Sequence, residues 1–165
     1  EMVLNGSHEL MKRKVITPKI WIGVGYTYSA TIPTSKGSTR LISATSVNSL
    51  LQDAAIPLYD KLADRQTPIR RLAIAFEDVV DEGCEGYDLF TDWHAVEREK
   101  ARERAVMEIN GRYGKNAVLR GTNYLKGATQ RERNEMIGGH RAGYDDNSRT
   151  GYRRQGRCLC RCWLL

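Results

Sequence analysis

Apolar and polar positions alternate along the first eighty residues in patterns that predict a small set of elements. From Lys19 to Ser29, KIWIGVGYTYS, the residues Ile20, Ile22, Val24 and Tyr26 recur at every second position, which puts them on one side of a strand. Ile69 to Val80, IRRLAIAFEDVV, turns Leu72, Ile74 and Phe76 to one side in the same way. A further strand is expected near Thr39–Val47, after a Pro/Ser/Gly-rich loop from Thr31 to Ser38. Between these strands, Ser49 to Ala63 spaces Leu51, Ala54, Ala55, Leu58 and Leu62 three and four apart, as an amphipathic helix does. Pro57 lies inside that helix, where proline costs about 3 kcal/mol or forces a kink, so a distortion is expected there. Residues 1–16 carry a weaker helical pattern in Met2, Val3, Leu10, Met11 and Val15. The order helix, strand, strand, helix, strand predicts an α+β fold.

The pattern changes after Asp81. An acidic, glycine-bearing linker leads to a long helix from Asp92, a plausible N-cap, to about Asn110. Its apolar stripe is thin, with Trp93, Val96, Val106 and Ile109, so loose packing or a need for a partner is expected. From Gly111 onward the sequence predicts an irregular basic tail with at most short helix, and disorder past Asp145. The expected division is residues 1–80, a linker at 81–91, a helical extension at 92–145 and a tail at 146–165.

Charge sharpens this division. The chain has 165 residues and a formal net charge of +6, which favours a polyanionic partner. Residues 1–76 hold ten basic and five acidic side chains, residues 77–110 four and eleven, and residues 111–165 twelve and four. Two basic flanks around an acidic middle predict two phosphate-facing surfaces joined by a segment that avoids phosphate. No segment approaches the roughly 20 apolar residues of a membrane span, and the N-terminus lacks a signal pattern, so a cytoplasmic location is expected. Cys84 stands alone, and the C-x-C-x-C run at Cys158, Cys160 and Cys162 is a poor match to zinc spacing. No metal, cofactor or small-molecule substrate is expected for these residues, and no catalytic site. Asp145-Asp146 lies in a polar, flexible-looking setting without the company a two-metal site requires.

Gly111 to His140, GRYGKNAVLRGTNYLKGATQRERNEMIGGH, combines guanidinium forks suited to phosphate oxygens with the rings of Tyr113 and Tyr124, available for packing or stacking. This string resembles the C-terminal tail of bacterial Y-family (translesion) DNA polymerases. Further matches lie in order along the chain. Ile22–Thr27, followed by Tyr28 and Ser29, is similar to a strand of that family's little finger, its small DNA-gripping α/β domain. Gly37, Ser38, Thr39 and Arg40 approximate the start of the next strand. Pro68, Ile69, Arg70, Arg71, Leu72, Ala73 and Ile74 match the last one closely. The resemblance implies a small, mostly antiparallel four-stranded sheet with two helices on one face, whose first strand would precede residues 1–16 and is absent here. It also implies a catalytic palm far upstream, with magnesium serving the intact parent.

On that resemblance the chain is expected to bind primer–template DNA, damaged DNA included, by its backbone and without reading sequence. The DNA-binding residues would be Thr39, Arg40, Ser43, Thr45, Arg70, Arg71, Lys115, Arg120, Arg131 and Arg133. The expectation requires the arginines to share one exposed cationic surface. Gly86-Tyr87-Asp88-Leu89-Phe90 resembles the family's sliding-clamp peptide, with Gly86 in place of a glutamine and with Tyr87, Asp88, Leu89 and Phe90 as the candidate clamp contacts. Each residue has a plainer alternative: solvated strand ends, ordinary exposed strand positions, a solvated charge run, or a Leu-Phe pair tucked under the chain's own helix. At the level of the whole chain the alternatives are a clamp-tethering protein–protein module, an inert remnant of a disrupted polymerase gene, and a generic basic RNA-associated protein.

Overall fold

One long strand, Val15–Tyr26, organises the fold, because the other strands of the main sheet all pair with it. The computed structural model describes residues 1–27, 32–84, 86, 91–137 and 140–141, with 137, 140 and 141 described as backbone. Helix α1 (Met2–Arg13) precedes β1 (Val15–Tyr26), β2 (Ser35–Thr45), α2 (Asn48–Leu62), β3 (Ile69–Glu77) and the two-residue β4 (Val80–Asp81). Then come α3 (Trp93–Tyr113), α4 (Gln130–Asn134) and the pair β5 (Met136–Ile137) and β6 (His140–Arg141). The molecule is α+β, with a small antiparallel sheet in which β1 lies between β2 and β3.

Ile16, Ile20, Ile22, Val24 and Tyr26 of β1 are buried. Ile20, Ile22, Val24 and Tyr26 join Leu10 of α1, Leu51 and Ala55 of α2, and Ile74 and Phe76 of β3 in one core. Both helices therefore cover the same face of the sheet. Burying such side chains contributes about 1.5–3 kcal/mol each. The sequence reading of these faces holds. Strand boundaries differ from expectation in three places, each with a physical cause.

β1 begins at Val15 rather than Lys19, because Lys14 reverses the chain at φ 55° and Val15 and Ile16 find partners in β4. The expected strand Ile69–Val80 is interrupted at Asp78, also at φ 55°, and β4 resumes the register that β3 holds on β1. β2 starts at Ser35, inside the expected loop Thr31–Ser38, because Gly37 lets the strand pass close to α2. A Cβ at Gly37 would sit 3.1 Å from a Leu62 methyl. Pro57 does not break α2. The proline and Asp53 are both exposed, so the Asp53 carbonyl that loses its amide partner can be solvated.

Packing divides the chain into two compact units, Met2–Glu103 and Glu1 with the described part of Arg104–Arg157. In the first, α1 approaches the sheet closely at Gly6, where an added Cβ would overlap the Phe76 ring, and the Ser7 hydroxyl donates to the Ser46 carbonyl at 2.5 Å. The first half of α3 docks by polar groups. The Glu99 carboxylate accepts from the Ser49 amide at 3.0 Å and the Ser49 hydroxyl at 2.6 Å, so it caps the positive end of α2. Lys100 is buried 3.5 Å from Glu82, and buried Glu103 meets His8 at 2.8 Å. Buried pairs of this kind add little net stability but cost several kcal/mol when one partner is removed.

The turn from α2 to β3 is fixed by Asp64, which accepts from the Thr67 hydroxyl and from the Gln66 amide at 3.0 Å. Those two bonds, the hydroxyl first, hold its carboxyl below the usual range. The buried Tyr26 hydroxyl accepts from the Asp64 amide at 2.9 Å and donates to the Leu62 carbonyl at 3.3 Å, which ties the end of β1 to the same turn.

In the second unit α3 runs past the expected Asn110 to Tyr113 and stops at Gly114, whose φ of 104° suits glycine. The segment beyond it is irregular but tightly bonded. Asn110 donates to the Val118 carbonyl at 3.1 Å and accepts from the Val118 amide at 2.8 Å. Asn134 donates to the Lys115 carbonyl at 3.0 Å and to the Asn116 amide oxygen at 2.8 Å. The Glu1 carboxylate accepts from Gln130 and Thr129 at 3.2–3.4 Å. Burial pushes that carboxyl up, but the two amides and the Thr129 hydroxyl outweigh it, and the net shift is downward.

Candidate nucleic-acid interface

The face of the sheet turned away from the helices is built by the other half of the alternation. On β1 it presents Lys19, Trp21, Gly23 and Gly25. The register places Arg40, Ser38 and Lys36 of β2 beside Lys19, Trp21 and Gly23. On the other side, Glu77, Ala75, Ala73 and Arg71 of β3 lie beside Lys19, Trp21, Gly23 and Gly25. Lys36, Ser38, Arg40 and Arg71 are exposed. Four cations from three strands thus share one open face.

These cations are not equivalent. Lys19 pairs with Glu77 at 2.8 Å, and Arg40 lies 3.8 Å from Asp78, so that end of the face is close to neutral. Among the described residues, neither Lys36 nor Arg71 has a carboxylate within ion-pair distance. Net positive potential therefore concentrates at the Lys36–Arg71 end. Exposed ion pairs such as Arg40–Asp78 are weak, and an incoming phosphate can compete for the guanidinium.

The expected DNA-binding residues of the first unit are only partly brought together. Arg40 and Arg71 share the open face. Arg70 falls at the β-bulge opposite the Gly25–Tyr26 step and is half-buried. Thr39 sits opposite buried Ile20, and it and Ser43 are half-buried, lining a groove of about 580 Å³ between β2 and α2. Thr45 is fully buried, and its hydroxyl accepts from the Val47 amide at 3.1 Å, so it has no place on an exposed surface. A bulge lies opposite the Thr17–Lys19 step, and the alternation of β2 runs on into it as far as Ile42, which is 92% exposed.

Lys36, Lys19 and Trp21 were absent from the expected set. Lys19 and Trp21 occupy positions out of phase with the buried series, whereas Lys36 lies in the expected loop Thr31–Ser38. Trp21 is the conspicuous member, because its six-membered ring leans over Gly23. A Cβ at Gly23 would lie 2.5 Å from the ring, so only glycine lets the indole rest there. Trp21, Arg71, Lys19, Ala73 and Ala75 line a shallow hollow of about 550 Å³ on this face.

In the second unit, Lys115 and Arg131 are exposed while Arg120 and Arg133 are half-buried. The Arg131 guanidinium lies 4.9 Å from the centroid of the exposed Tyr124 ring. The clamp-like residues Tyr87, Asp88, Leu89 and Phe90 lie outside the described residues, as do the disordered tail expected past Asp145 and the cysteine run. Cys84 is exposed, and among the described residues no group of three or more His, Cys, Asp or Glu is placed to hold a metal ion. None of the described helices is long and apolar enough to cross a membrane. The chain matches no protein-family model, no curated protein and no solved structure.

Proposed function

We propose that this chain is a nucleic-acid-binding piece of a Y-family translesion DNA polymerase, holding primer–template DNA through its phosphates in the course of DNA repair. The observation that carries the binding role is the open sheet face, where Lys19, Lys36, Arg40 and Arg71 from three strands point away from the helix-covered core. Short or flexible cationic contacts of this kind position a backbone without selecting bases. The assignment to that polymerase family is supported by the Pro68–Ile74 and Gly111–His140 segments. On this reading nucleotide transfer and its magnesium belong to the parent's palm, and the chain's own task is grip.

The test is binding of the full chain to fluorescently labelled primer–template DNA across a salt series. Affinity should fall steeply as salt rises, with the logarithmic slope reduced by about 0.9 for each phosphate contact removed. Arg71→Glu and Lys36→Glu should weaken binding most and Arg40→Glu least, since Asp78 and Glu77 already offset charge at that end. No binding at low salt, or indifference to charge reversal at Arg71 and Lys36, would end this reading. Clamp tethering is checked separately, by whether Leu89→Ala with Phe90→Ala abolishes capture of a purified sliding clamp.

A further inference from the structure

We propose that Trp21 is a stacking platform for an unpaired base, so that the open face takes single-stranded DNA rather than only the outside of a duplex. This rests on the phosphate-binding reading above and goes further in naming the form of DNA. Three features of the face lead to it.

The first is the position of the indole. The alternation that buries Ile20, Ile22, Val24 and Tyr26 places Trp21 on the opposite side, among polar and charged neighbours, where it takes no part in the core. A large, partly exposed ring lies there.

The second is the surrounding floor. Ser38 and Ala75 flank Trp21 on the adjacent strands, and Gly23 and Ala73 follow on the next row. Small side chains keep the surface low beside the ring, and the hollow of about 550 Å³ that results is open to a planar group. Its size falls in the range of small-ligand sites.

The third is the placing of charge. Rows of the sheet are about 7 Å apart along the strands and neighbouring strands about 5 Å apart. Lys19 and Arg40 lie one row to one side of Trp21, while Lys36 and Arg71 lie one and two rows to the other. A base seated on the indole therefore has cations within reach of the phosphates before and after it. In a duplex the base faces are already stacked on one another, so an indole reaches them only on an unpaired stretch. Sequence tolerance follows, since every base has a π-face.

The experiment compares two strands with the same phosphate charge. Fluorescence anisotropy is measured for the full chain with an oligothymidylate of about 12 nucleotides and with an abasic strand of equal length, at one salt concentration. The thymidylate should bind roughly tenfold tighter. Trp21→Phe should keep most of that preference, and Trp21→Leu, which still covers Gly23, should remove it while leaving weak, salt-sensitive binding to both strands. Melting followed by circular dichroism checks that each variant folds. Equal affinity of the unaltered protein for the two strands would overturn the stacking role and leave phosphate binding standing. A preference that survives in Trp21→Leu would remove the role from Trp21. Absence of binding to either strand would overturn the phosphate reading and this one with it.

Discussion

Each of the two compact units is held together internally by its own chemistry. In Met2–Glu103 a continuous apolar cluster joins two helices to one face of a sheet. In the unit containing residues 104–141, asparagine side chains and the Glu1 carboxylate bond to backbone groups across turns, and exposed Tyr113, Tyr124 and Leu125 add little burial. Apolar burial is non-directional and sums over many contacts, whereas an amide clamp is local and depends on one geometry. The first kind of unit tolerates small changes of shape. The second stands or falls on named atoms.

The contrast can be tested by removing one representative of each chemistry. Ile20→Ala should show the largest effect, about 2–5 kcal/mol, because it leaves a cavity at a fully buried point of the core. Chemical denaturation read by far-ultraviolet circular dichroism measures it, and a loss under 1 kcal/mol would show that the sheet is held otherwise. Asn110→Ala should cost about 1–3 kcal/mol, by stranding the Val118 amide and carbonyl that it bridges. Its readout is hydrogen exchange at Val118, and unchanged protection there would remove the clamp from the account. Tyr26→Phe should cost about 1 kcal/mol, since the ring stays packed and only the hydroxyl linking Asp64 and Leu62 is lost.

Acidification should give the smallest effect. Glu1 has a folded pKa below its unfolded value, so its contribution is complete above the ordinary carboxylate range and is lost as pH falls through the lowered folded value. Between pH 6 and about pH 3 the Thr129 and Gln130 amide resonances should shift together. Independent movement of the two would show that they do not share the Glu1 carboxylate.

Much of the first unit was readable because period-two alternation is a property of neighbouring residues. Ile20, Ile22, Val24 and Tyr26 could be assigned to the core without knowing what covered them, and so could Leu51 and Ala55 of α2. The same periodicity contained the open face, yet the expected contacts Thr39, Ser43 and Thr45 alternate to the covered side or are buried. Lys36 falls inside the expected loop Thr31–Ser38, and the neighbours of Trp21 come from β2 and β3, a pairing that no single segment contains. The thin apolar stripe of α3 suggested loose packing. Its buried positions instead include Lys100 and Glu103, whose partners Glu82 and His8 lie far away in sequence.

What the amino-acid order determined was which side of each strand and helix is apolar, and where net positive charge accumulates, since both depend on residues a few positions apart. Tertiary structure alone decided the register that gathers Lys19, Trp21, Lys36, Arg40 and Arg71 on one surface. It alone decided, too, that Glu77 and Asp78 neutralise one end of that surface and leave the other charged. The reason is physical: side-chain alternation is set by the local backbone, whereas ion pairing and the reach of a ring depend on distances that exist only after the strands have paired.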